Sequence, residues 1–84
     1  DEEVRLLARA YAQLRAGDPS GALATLADEE RRFPGGRLVE SRQVARILAL
    51  CAAGQRDAAA SERAAFLAAH RDSPFTDRVR SACR

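Results

Sequence analysis

Eighty-four residues, 46% apolar and 31% charged, make one small globular domain, neither disordered nor fibrous. At this size a single core gives only about 3–5 kcal/mol of net stability, so a crosslink, a neighbouring repeat or a partner is expected. All 14 basic residues are arginine, read here as GC-rich codon usage; their excess of +2, scattered among 12 acids, argues against nucleic acid and for a salt-bridged, solvated surface.

The first helix is expected from about Glu2 to Ala16, with Asp1, Glu2 and Glu3 at its positive end. Val4, Leu7, Tyr11 and Leu14 form its apolar stripe, widened by Leu6 and Ala10. Gly17 ends it, and Asp18-Pro19 starts a second helix as N-cap and first-turn proline. That helix carries Ala22, Leu23, Leu26 and Phe33 and stops at Pro34-Gly35-Gly36. Its charge run Asp28-Glu29-Glu30-Arg31-Arg32 reads as a solvated face.

A third helix over about Arg37 to Ala53 places Val44, Ile47, Leu48 and Cys51 on one face, with Arg42, Gln43 and Arg46 mostly elsewhere, and Gly54 closes it. A fourth, about Asp57 to Ala69, turns Ala58, Ala65, Phe66 and Ala69 inward. Ser73-Pro74 reads as the start of a short fifth helix that presents Phe75, Val79 and Ala82 or Cys83 inward and caps the open end. No segment alternates with period two, and the short connections make consecutive helices antiparallel. The fold class is therefore all-α: two antiparallel helix pairs and a C-terminal capping helix.

Gly17 to Gly54 and Ala22 to Ala59 are both 37 positions, a spacing typical of stacked helical repeats. Gly17-Asp18, then Ala22 five residues after the glycine, Leu26 four further on and Pro34 twelve after the alanine resemble a tetratricopeptide-type repeat. Gly54 and Ala59 match again, but Pro74 falls 15 residues after Ala59, so the second turn reads as three residues longer. Arg63, Arg9, Arg46 and Ile47 also depart from the family's preferred types. The chain thus resembles two divergent repeats, about 3–36 and 38–73, followed by a helix at about 74–84.

Phe33-Pro34 and the stretch from Phe66 to Pro74 resemble repeat endings in tetratricopeptide modules of bacterial cell-envelope proteins. The resemblance implies a non-enzymatic scaffold or interaction domain in an extracytoplasmic compartment, with the cytoplasm as the alternative, and part of a longer protein, in keeping with a first residue that is not methionine. It implies that the first helix of each repeat lines a shallow groove, with ligand-facing side chains on helices one, three and five. That nominates Leu7, Tyr11, Leu14 and Arg15, with Ser41, Val44, Leu48 and Cys51, for a peptide or partner helix. Tyr11 and Arg15 are the strongest pair, an aromatic anchor beside a cation that pairs with carboxylates. The same apolar surface suits a homodimer.

Two readings of the cysteines stay open. Cys51 and Cys83 form a disulfide that locks the last helix, or they are two small buried apolar residues. Counted from Pro34 and Pro74 they stand about 12 Å apart in height; counted from Gly54 and the end of the chain they are nearly level. His70 lies past a helix end as compensation for its dipole, and no metal, cofactor or catalytic set is assembled. The longest apolar run, Ile47 to Ala53, is seven residues where a span needs about 20, so membrane insertion by this segment is not expected. The rival functions are an arginine-rich nucleic-acid module using Arg31, Arg32, Arg37, Arg42 and Arg46, and a regulatory domain of a larger enzyme.

Overall fold

Asp1 opens α1 (Glu2–Arg15) by accepting the backbone N–H groups of Glu3 and Val4 on its carboxylate, at 2.9 and 3.3 Å. The computed structural model describes residues 1–83, and among them four further helices follow: α2 (Pro19–Arg32), α3 (Val39–Ala52), α4 (Arg56–Ala69) and α5 (Thr76–Arg80), with no strand. The protein is all-α, as its periodicity predicts.

The 37-residue register holds throughout. Helices α1 and α3 are both 14 residues long and start 37 apart, as do α2 and α4. The end of α1 is closed by Gly17 N–H to Leu14 O and Asp18 N–H to Gln13 O; Gly54 to Cys51 and Gln55 to Leu50 close α3 identically. This crossed pair of bonds places the residue after the C-cap in the left-handed region, and Gly17 (φ 78°) and Gly54 (φ 77°) occupy it without a Cβ penalty. Asp18 then caps α2 by accepting Gly21 N–H at 2.9 Å, while Gln55 offers α4 no side-chain cap.

The longer connections also correspond. Phe33 and His70 end their helices with nearly equal backbone angles, and five residues separate each from the next helix. The second turn is therefore not three residues longer: Pro74 stands at the place of Arg37, and Arg71 at that of Pro34. The following helices begin later than Arg37 and Pro74 suggest, at Val39 and Thr76, because each loop closes a turn first. Helix α5 occupies the position of the first turns of α1 and α3.

Helix α1 packs on α2 and α3 on α4; α3 also lies against both α1 and α2, and α5 lies on α4. Ala10, Ala22, Ala45, Ala49 and Ala59 are fully buried, and their small side chains let the helices approach closely. Two clusters result. Ala10, Ala22, Leu26, Ala45 and Ala49 fill the first, and Val44, Ile47, Phe66, Val79 and Ala82 fill the second.

Cys51 and Cys83 form a disulfide with Cα atoms 5.1 Å apart, tying the end of α3 to the chain beyond α5. The 12 Å offset shrinks because Pro74 aligns with Arg37 and not with Pro34, leaving five positions, about 7.5 Å of helix rise. The chain also leaves helical geometry after Arg80, and Cys83 itself lies at φ 69°. No helix of the described residues is long and apolar enough to cross a membrane.

Candidate functional site

Three helices, α1, α3 and α5, converge on one surface hollow. The C-terminal halves of α1 and α3 and the first turn of α5 line it with Tyr11, Leu14, Arg15, Leu48, Ala52 and Arg78. Tyr11 and Leu48 hold the same repeat position, both half-buried and both packed on the core. Their bodies are anchored by apolar contact while their outer surfaces face the hollow. The Arg78 guanidinium sits 5.8 Å from the centroid of the Tyr11 ring, a cation–π placement. No carboxylate of the described residues pairs with Arg15 or Arg78, so the hollow combines an apolar floor with two cations available to an anion.

Of the residues nominated from sequence, Tyr11, Leu14, Arg15 and Leu48 come together there. Leu7 packs one turn away against the first core cluster. Val44 does not face a groove: it is 1% exposed, held in the second cluster with Phe66 and Val79. Ser41 is half-buried in the first turn of α3, about 10 Å of helix rise from Leu48, and does not line the hollow. Arg78 was missed. It stands 37 positions after Ser41, so the repeat register applied to α5 is the signal that finds it.

The five arginines of the nucleic-acid reading are occupied within the fold. Arg31 and Arg32 pair with Asp28, Arg32 also with Glu2, Arg37 with Asp1 and Arg46 with Glu62. Arg42 is 6% exposed and donates to Phe33 O at 3.1 Å.

Arg42 belongs to a buried ionic cluster that the sequence reading placed in solvent. Glu29 is 0% exposed, 3.9 Å from Arg42, and neither of its carboxylate oxygens has a hydrogen-bond donor. Burial pushes the Glu29 carboxyl up from its ordinary 4.5, with Arg42 opposing and the Glu3 charge adding to the rise. Glu3 is itself buried, and its carboxylate accepts Leu38 N–H at 3.1 Å, fastening α1 to the loop ahead of α3. The loop permits this because position 36 is glycine: a Cβ there would run into the Glu3 carboxylate. One repeat on, Ser73 replaces Gly36 and its Oγ accepts Phe75 N–H at 3.0 Å. The corresponding Glu40 is displaced from that role, and its Oε1 is buried without a partner.

His70 ends α4 as expected, its ring tilted against the Phe66 ring with centroids 4.8 Å apart, with Nε2 3.2 Å from Gln43 Oε1 and Nδ1 3.9 Å from Glu40. No group of three or more His, Cys, Asp or Glu side chains among the described residues is placed to hold a metal ion. Comparison with known proteins finds no matching family model, no matching curated protein and no matching solved structure.

Proposed function

We propose that this chain is a non-enzymatic protein-interaction module, a divergent tetratricopeptide-like stack that takes a peptide segment into the hollow between α1, α3 and α5. The observation that carries the reading is the convergence of Tyr11, Leu48 and two arginines, Arg15 and Arg78, that pair with no carboxylate among the described residues, on one concave face. A half-buried aromatic ring beside cations is the residue combination enriched where binding energy concentrates. The ligand this chemistry fits is a peptide with an apolar side chain for the Tyr11–Leu48 floor and a carboxylate for the arginines. The Cys51–Cys83 disulfide supports an oxidising, extracytoplasmic compartment.

The chain has one tyrosine and no tryptophan, so Tyr11 emission reports on the hollow directly. An array of peptides with free C-terminal carboxylates, each paired with its amidated form, is screened and the binders titrated against that emission. Binding is expected to favour the free carboxylate and to weaken at least tenfold in Arg15→Ala, about 1.4 kcal/mol. Tyr11→Ala, followed by calorimetry, is expected to lose as much. Affinity indifferent to both substitutions, or no binder in the array, overturns the reading.

A further inference from the structure

We infer that the outer face of α1, carrying Arg5, Ala8 and Ala12, docks another helix pair of this repeat's own type, stacked ahead of α1 as α1 and α2 are stacked ahead of α3. The repeat register is the source of the inference, independently of the peptide hollow. Helix α3 lies against both α1 and α2, and three residues of its buried face are Arg42, 6% exposed, with Ala45 and Ala49, both 0%. Thirty-seven positions earlier stand Arg5, Ala8 and Ala12, the same residue types at the same spacing. All three are exposed. The Arg5 side chain is 77% exposed, with only the neighbouring Glu2 at 3.9 Å, and Val4 beside it is the exposed large hydrophobic residue among those described.

The two helices also match at Glu3 and Glu40 and at Arg9 and Arg46, while other positions differ, as in Leu6 against Gln43, Ala10 against Ile47 and Gln13 against Leu50. The buried copy shows what such a face requires of its occupant. Ala45 and Ala49 pack with Ala10, Ala22 and Leu26, so the partner must offer a groove of small and medium apolar residues. Arg42 reaches the Glu29 carboxylate and the Phe33 carbonyl, so that groove must carry an acid where Glu29 stands. Charge and shape together specify a helix pair resembling repeat one. A second copy of the chain is poorly suited: its α1–α2 groove is covered by its own α3, and its α3–α4 groove is covered by α5 and has Phe66 in place of Glu29.

The test is a duplication in which residues 1–37 are joined ahead of the complete chain, so that Asp1 follows Arg37 where Leu38 normally does. Docking predicts one urea transition whose slope is about 40% steeper than that of the 84-residue chain, as the denaturant slope follows the surface exposed on unfolding. Ala8→Arg in the original α1 leaves the 84-residue chain unchanged, since Ala8 is exposed there, but splits the transition of the duplicate in two. Arg5→Glu in the same helix, which sets a second carboxylate against Glu29 of the added repeat, lowers the duplicate's midpoint and not that of the 84-residue chain. Two transitions in the unsubstituted duplicate, or indifference to Ala8→Arg, overturns the inference. So does a dimer of the 84-residue chain that Arg5→Glu dissociates, which would assign the face to a second copy.

Discussion

Arg42 lies 3.9 Å from Glu29 at the interface between the two helix pairs, and 37 residues later the same two positions hold Val79 and Phe66, which share an apolar cluster. One location in the repeat is thus filled by a buried ion pair in its first instance and by hydrocarbon in its second. The ion pair is incompletely satisfied, with both Glu29 oxygens lacking hydrogen-bond donors.

Transplanting the second solution into the first is expected to preserve stability. Removing one partner of a buried pair leaves an uncompensated charge and costs about 3–5 kcal/mol, whereas apolar replacement of both is often neutral or favourable. Arg42→Val alone should therefore destabilise by that amount, and the double variant Glu29→Phe with Arg42→Val should recover most or all of it. Urea denaturation of the two single variants and the double variant completes the cycle. An additive loss would contradict the equivalence of the two sites.

The Glu29 carboxyl also sets a pH dependence. Its folded value lies above the ordinary 4.5, so the folded chain holds this proton more tightly than the unfolded one. The stability it contributes is complete below about pH 4.5 and is lost as pH rises through the raised folded value. Glu29→Gln has no such proton to release. The unfolding free energy of the parent, taken relative to Glu29→Gln, should fall as pH rises above about 4.5. A difference that stays flat over that range would refute the assignment.

The loop ahead of α5 gives a paired prediction. Ser73→Ala keeps the Cβ but removes the acceptor of Phe75 N–H, and should cost about 1 kcal/mol. Ser73→Gly should cost less, because Glu40 can then approach as Glu3 approaches past Gly36. Conversely, Gly36→Ser should dislodge Glu3 from Leu38 N–H and destabilise the chain. Thermal melts of the three variants rank them.

Reducing the Cys51–Cys83 bond, or replacing both residues with alanine, releases a closure spanning 32 positions. On the chain-entropy account this lowers stability by about 3–4 kcal/mol. The loss should be concentrated at α5, seen as faster amide exchange in residues 76–80 than in α1 and α2. Uniform acceleration across all helices would instead mean that α5 and the first repeat unfold as one unit.

Helix existence and order were legible in the chain because their determinants are local. Gly17 and Gly54 mark left-handed closures, Asp18-Pro19 marks a helix start, and apolar spacing marks the inward faces only in part: Val4, Ala65 and Ala69, read as inward, are exposed, and Ala59 is buried. The groove residues were legible in part, since the tetratricopeptide resemblance, counted from the turn glycines, nominates Tyr11, Leu14, Arg15 and Leu48, which line the hollow. Val44 was misplaced because helix phase alone does not say which of two adjoining faces is covered, and α4 and α5 cover that one.

Sequence by itself determined five helices in a 37-residue rhythm, through signals that each act within a turn or two of the backbone. Tertiary structure decided the burial of Glu29 and Arg42, the meeting of Glu3 with Leu38 and the joining of Cys51 to Cys83. Each of these depends on groups 13 to 35 positions apart, and on which helix face another helix covers, a property that no local pattern of charge or hydropathy encodes.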